Sequence, residues 1–256
     1  MFSYEHLNNL RAYEIEFYLP YFDKRQKILE LGGGTGEQAK QLAARGYQIE
    51  SVDLENSTYS SERVFPVKDY DGEHLPFDDD SFDVIFSSNV LEHIPHLDQF
   101  HMELKRVLKP GGYGVHIMPT GTWRFWTSIA NYVELVQRLA ITAYKAFPTS
   151  ISPQHIYDSL MWGKNEAASL LHNYWIPPRH GEKGNVWTEI IHFSRWQWRK
   201  HFIRNGYEIL EIRPLKLFYT GHMILGSGLS MKMRNLLSHI LGSACVLYKV
   251  RPQECK

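Results

Sequence analysis

Residues 27–43 read KILELGGGTGEQAKQLA. A short apolar run, Lys27 to Leu31, meets glycines at 32, 33, 34 and 36, and a helix-forming segment follows. Glycine has no Cβ and tolerates positive φ, so such a loop brings backbone close to a ligand. A strand, a Gly-rich turn and a helix also place N–H groups and a positive helix end at one point, which attracts a carboxylate or phosphate. The loop by itself fits two cofactors. Gly34-x-Gly36-x-x-Ala39 matches the Gly/Ala form of the dinucleotide fingerprint, and Glu30-Leu31-Gly32-x-Gly34-x-Gly36 matches a different cofactor loop. Asp53, 17 residues after Gly36 at the end of the next strand, suits ribose hydroxyls in either reading.

Outward from the loop, strand and helix alternate. The pattern predicts strands at 27–31, 48–53, 64–68, 82–88 and 112–118, and helices at 37–45 and 97–108 that stop at Gly46 and at the KPGG of 109–112. This rhythm implies a parallel α/β sheet with right-handed crossovers. Residues 119–193 interrupt it with Trp123, Trp126, Trp162, Trp175 and Trp187. That stretch is too long for a plain loop and reads as a cap, helical over 127–147. The rhythm resumes with a helix at 193–205, a strand at 207–214, an amphipathic helix at 229–241 and a strand at 244–250. Residues 1–22 form an amphipathic helix, either a packing helix or a lid. The division expected is therefore 1–22, an α/β core over 23–118, an insertion over 119–193, and completion of the core by 194–256.

Bulk properties narrow the function. Of 256 residues 43% are apolar, enough for a sizeable core. Lys plus Arg equals Asp plus Glu, 28 against 28, which argues against a broad nucleic-acid footprint. Cys245 and Cys255 are the only cysteines, which excludes a disulfide scaffold and suits a reducing cytoplasm. The opening MFSYEHLNNL has no apolar signal core, and no 18-residue apolar stretch exists, so a cytoplasmic protein without a membrane span is expected.

The segment 67–94, VKDYDGEHLPFDDDSFDVIFSSNVLEHI, separates the two cofactors. ELGGGTG (30–36), VDL (52–54), DGEHLPF (71–77) with SFDVIFSSNVLEHI (81–94), and RVLKPGG (106–112) occur in order. Together they resemble the class I S-adenosylmethionine-dependent methyltransferases, of the type 11-like group, over somewhat less than half the chain. With the seven strands above, the resemblance implies a doubly wound, mostly parallel seven-stranded Rossmann-like sheet. Its last strand is antiparallel, and a helical, aromatic insertion follows the fifth strand. It also implies roles toward S-adenosyl-L-methionine. Gly32, Gly34 and Gly36 would meet the methionine part, and Glu30 its ammonium. Asp53, with Leu54 beside it, would bind the ribose. Asp71 and Gly72 would meet the adenine, with Asp69 as a competing candidate, and Asn89 would lie near the sulfonium. An NAD-dependent oxidoreductase with a GxGxxA loop, and a non-catalytic partner-binding domain of the same fold, are the alternatives.

Methyl transfer is an in-line displacement, so alignment and exclusion of water carry much of the catalysis. A base for an oxygen or nitrogen acceptor belongs over the carboxyl edge of the sheet. Within PPRHGEKGNVWTEIIHF (177–193), Arg179, His180, Glu182 and Glu189 form the densest ionisable group of an aromatic region. His180 and Glu189 are candidate catalytic residues, and Arg179 would hold an anionic group on the acceptor. Glu92 and His93 form a further acid/base pair, serving structure or catalysis. His96 and His101 are expected on the exposed face of their helix, and His116 packed within its strand. Thirteen histidines without an HxH, HExxH or Cys/His cluster predict no metal centre. The aromatic excess points to a small-molecule, carbohydrate or lipid-linked acceptor. Residues 229–242 would cover the sheet edge or touch a membrane surface, and the chain would be a monomer or homodimer.

Overall fold

The computed structural model describes residues 4–149, 152–221 and 228–253, so Cys255 lies outside the described residues. Seven strands form one sheet in the order β3-β2-β1-β4-β5-β7-β6. They are β1 (Lys27–Leu31), β2 (Gln48–Leu54), β3 (Val67–Tyr70), β4 (Phe82–Ser88), β5 (Leu108–Pro119), β6 (Tyr207–Pro214) and β7 (Cys245–Pro252). The first five pair in parallel, and β7 runs antiparallel to both β5 and β6. This is the expected doubly wound, mostly parallel sheet with an antiparallel last strand. Its central strands bury Ile28, Leu29, Val84, Phe86, Val115 and Ile117. Such continuous apolar strands belong to a sheet covered on both faces.

Among the described residues, eight α-helices accompany the strands: α1 (Tyr4–Tyr18), α2 (Glu37–Ala44), α3 (Leu97–Val107), α4 (Gly121–Lys145), α5 (Pro153–Tyr174), α6 (Val186–His192), α7 (Arg195–Arg204) and α8 (Met231–Leu241). Helix α1 buries Leu10, Ile15 and Tyr18 completely. The Tyr18 ring lies 4.7 Å from Phe86, and its hydroxyl accepts from Gln38 Nε2 at 2.8 Å. Pro20 then turns the chain through a single 3₁₀ turn, Leu19–Tyr21. The insertion holds α4, α5 and α6. Thr120 starts α4 by accepting from Trp123 N at 3.0 Å, seven residues before the pattern predicts a helix. The outer parts of α4 and α5 expose Val136, Ile141, Tyr144, Tyr157, Leu160 and Trp162.

Three local expectations are corrected. Strand β3 begins at Val67 and not at Val64, because Pro66 has no N–H to give the ladder and pairing starts at Ser51–Val67. Strand β5 begins at Leu108 and not at Gly112, because 109–112, which follows the end of α3 as expected, forms a bulge within the strand: Phe82 pairs with Leu108 and Val84 with Tyr113. His101 is 1% exposed, not on an open face. It belongs to the buried stripe Leu97, Phe100, His101, Leu104 and Val107 of α3, and its Nε2 lies 2.8 Å from His201 Nε2 on α7. His116 is packed as expected, 2.8 Å through Nδ1 from the Ser87 hydroxyl.

Candidate active site

The glycine loop joins the end of β1 to α2. Gly32, Gly34 and Gly36 adopt φ of 70°, 57° and 77°, a region that penalises side chains. A Cβ on Gly32 would overlap Val90, and one on Gly33 would overlap the Ser51 hydroxyl. The loop is therefore pressed against the segment after β4, and the N–H groups of Gly32 and Gly33 donate to the Val52 carbonyl at 2.8 and 3.0 Å. Gly34 N donates to Asp53 Oδ2 at 2.8 Å. Leu54 N (2.8 Å) and the Ser57 hydroxyl (3.1 Å) also donate to the Asp53 carboxylate, which fixes it at the carboxyl end of β2. Glu30 is 2% exposed and accepts from the Ser51 hydroxyl at 2.6 Å. Burial, aided by the charge of Asp53 and opposed by the Ser51 hydrogen bond, pushes its carboxyl up to about 7.

Asp71 is less directly poised. Its Oδ1 accepts from Glu73 N and His74 N at 2.8 and 2.7 Å, and its Oδ2 lies 3.1 Å from His74 Nδ1. The carboxylate thus closes its own turn, with Gly72 at φ 91° packed toward Leu54. Asp69 pairs with Arg63 at 2.6 Å.

Beside the loop, Asn89 adopts φ 54° directly after β4. Asn89, Leu7, Arg11, Trp123, His180 and Tyr219 are among the residues enclosing a cavity of about 330 Å³. Helix α1 thus both packs into the core and lends Leu7 and Arg11 to the cavity wall. With its amide oriented to satisfy its neighbours, Asn89 accepts from both Arg11 terminal nitrogens at 2.8 and 2.9 Å. Arg11 pairs in turn with the buried Glu14 at 2.6 Å.

The insertion brings His180 to the same cavity. Its ring meets those of Trp123 and His93, each with centroids 4.7 Å away. The nitrogens His93 Nε2 and His180 Nε2 both lie 3.8 Å from Glu92 Oε1. Partial burial lowers the proton affinity of His93 more than the Glu92 charge raises it. Arg179 also lines the cavity. The expectation that Glu189 is catalytic is corrected. It is fully buried, ion-pairs with Arg124 at 2.7 Å and accepts from His180 N and Gly181 N at 2.7 and 2.8 Å. With both oxygens committed, it positions the His180 loop and does not reach an acceptor. Arg11 and Tyr219 gave no individual sequence signal, and Trp123 signalled only as one of the aromatics of the insertion, because each reaches the cavity only through packing of distant segments.

Comparison with known proteins bears on the fold and on the half of the chain that carries the glycine loop. Residues 29–115 match the methyltransferase domain family. The bifunctional biotin biosynthesis protein BioHC of Cellvibrio japonicus is 35% identical over 128 residues, 46% of this chain and 26% of that protein. The ubiquinone/menaquinone biosynthesis C-methyltransferase UbiE of Cupriavidus pinatubonensis is 32% identical over 109 residues, 38% of this chain and 45% of that one. The matched stretch thus spans less than half the length of either relative. A putative S-adenosylmethionine-dependent methyltransferase from Listeria monocytogenes shares the fold, with a TM-score of 0.53, 14% identity, and coverage of 95% of this chain and 100% of that one. The sequence motifs, the sheet order and the family match together define the class: the core is a class I S-adenosylmethionine-dependent methyltransferase domain. Its cofactor is S-adenosyl-L-methionine.

Proposed function

We propose that this chain transfers a methyl group from S-adenosylmethionine to a small acceptor bound in the cavity beside Asn89. The observation that carries this reading is the position of that cavity. It opens at the carboxyl end of β4, where Val90 touches the glycine loop and His180 and Trp123 form the wall. Open α/β sheets bind ligands at this edge. Gly32, Gly34 and Gly36 meet the methionine part of the cofactor, Glu30 its ammonium, and Asp53 with Leu54 the ribose. Asp71 and Gly72 shape the adenine end. His180, backed by Glu92 and His93, handles the acceptor's proton.

A cavity of about 330 Å³ suits a compact ring or the reactive head of a longer molecule. Aromatic walls and the apolar surface of α4 and α5 favour a ring-bearing or lipid-linked acceptor. Two relatives point the same way by their names, the UbiE enzyme and the 24-methylenesterol C-methyltransferase 2 of Arabidopsis thaliana, which is 30% identical over 123 residues.

Calorimetry with S-adenosylhomocysteine and with NADH, followed by transfer of labelled methyl groups to quinone, phenol, sugar and lipid extracts, tests the proposal. Binding of the homocysteine product and labelling of one acceptor class is expected. Tight NADH binding without S-adenosylhomocysteine binding overturns it in favour of an oxidoreductase. Binding of neither overturns it in favour of a partner-binding domain.

A further inference from the structure

Glu92 poses a physical problem. Its side chain is 1% exposed, and neither carboxylate oxygen accepts a hydrogen bond from any described residue. An unsatisfied buried carboxylate is among the most expensive groups a fold can carry. The polar atoms that do face it are two imidazole nitrogens, His93 Nε2 and His180 Nε2. Both stand 3.8 Å from the same oxygen, Oε1. The three donor atoms all lie within 4.8 Å of one another.

That spacing is too long for a hydrogen bond. The two Glu92–histidine spacings are close to what a shared ion imposes, since metal–ligand bonds of about 2.0–2.2 Å set two donors about 3.3–3.8 Å apart across an open angle; the full set, spread over 4.8 Å, has to draw together for all three to reach one ion. A carboxylate and two imidazoles form a donor set suited to divalent first-row transition metals. The surroundings are built to hold it. Glu189 accepts from the N–H groups of His180 and Gly181, and Glu182 N donates to the Glu92 carbonyl at 3.0 Å, tying the His180 loop to the turn after β4. His93 is the most exposed of the three, with 41% of its side chain accessible.

We propose that Glu92, His93 and His180 bind a divalent transition metal of the zinc class. Three protein ligands leave a position open, as in catalytic and not structural zinc sites. His180 lines the acceptor cavity, so that position takes an oxygen of the acceptor and lowers its proton affinity, and with the metal bound His180 Nε2 is a ligand in place of a base. This deepens the methyltransferase reading for the acceptor, but the binding of the metal does not depend on it. It also revises the expectation of no metal centre. The sequence hid the set because only two of its members are neighbours in the chain.

The test uses the full chain stripped by a chelator and dialysed, titrated calorimetrically with zinc chloride and, separately, with magnesium chloride. Elemental analysis then counts the bound metal, and cobalt substitution reports its coordination by visible absorption. One zinc per chain is expected, with magnesium much weaker. Affinity should fall roughly 100-fold in His180→Ala and in His93→Ala, while S-adenosylhomocysteine binding stays unchanged. His93 is exposed, so that variant keeps the test valid if a change at the other positions disturbs folding. Zinc binding equal in the wild type and in the His93→Ala/His180→Ala double variant overturns the proposal. Undiminished methyl transfer by the stripped protein overturns the metal's part in catalysis and leaves the methyltransferase reading intact. Failure to bind S-adenosylhomocysteine overturns that reading and leaves the metal site standing.

Discussion

Glu189 and Arg124 form a salt bridge of 2.7 Å with both side chains out of solvent, 0% and 2% exposed. Arg124 also donates to the Pro178 carbonyl at 2.6 Å, so helix α4, the 178–181 loop and α6 are fastened at one charged pair. Removing one partner of such a pair leaves the other buried and uncompensated, at a cost of about 3–5 kcal/mol. Glu189→Ala is therefore expected to lower unfolding stability by about that amount. Glu189→Gln, which keeps an acceptor for the two backbone N–H groups, should lose less. Urea unfolding of the two variants measures this. An alanine variant as stable as the wild type would show that the loop does not depend on the pair.

Glu30 is expected to make cofactor affinity depend on pH. Burial raises its carboxyl to about 7, so near pH 6 the free protein holds it mostly protonated. The ammonium of the cofactor favours the ionised form, so binding should release a proton, and affinity should rise with pH up to about 7. Calorimetry with S-adenosylhomocysteine in buffers of different ionisation enthalpy reads the proton directly. Glu30→Gln should bind more weakly and show neither the proton release nor the pH trend. Equal proton release by the variant would remove Glu30 from this role.

His180 faces the acceptor cavity and Glu92 at once. Its replacement by alanine should reduce turnover by roughly tenfold or more, the low end for losing a proton-transfer group. Cofactor affinity should stay the same, because the glycine loop and Asp53 are on other elements. Initial rates with the acceptor found by the labelling screen give the answer. Unchanged turnover would reduce His180 to a turn residue.

Buried histidines set the acid limit of stability. Burial lowers His101 to about 2, His116 to about 3 and His201 to about 4, against an ordinary value of 6.5. From pH 6.5 down to about 4 the unfolded chain takes up these three protons and the folded chain does not, so stability falls on acidification. Glu30, between its ordinary 4.5 and about 7, and His74, raised by its hydrogen bond to Asp71, act oppositely, but burial lowers His6 and His93 as well, so the histidines that resist protonation outnumber them. Unfolding free energy should therefore drop between pH 6.5 and 5. A flat profile would contradict the buried, neutral state of the histidines.

Much of this protein was legible in the sequence because its cofactor half is local. The boundaries of β1, β4 and β6 follow from short runs of apolar residues, and the glycine loop adjoins the strand and helix that define it. Pro66 and the 109–112 bulge blurred β3 and β5, since a strand's start depends on the ladder it joins as well as on its own residues. His101 illustrates the same limit: α3 presents a recognisable apolar stripe, but only α7 packing over it tells that a histidine within the stripe is buried.

The sequence by itself determined the class of fold and the glycine loop, because both depend on residues adjacent in the chain and on the period of their hydrophobicity. Only the tertiary structure decided what surrounds the cavity beside Asn89. It joined Arg11 to Asn89, committed Glu189 to Arg124, and placed His93 and His180 about the unpartnered Glu92. Apart from the adjacent Glu92 and His93, those contacts join residues far apart in the chain. No local pattern encodes them; they arise when α1 and the insertion pack against the carboxyl edge of the sheet.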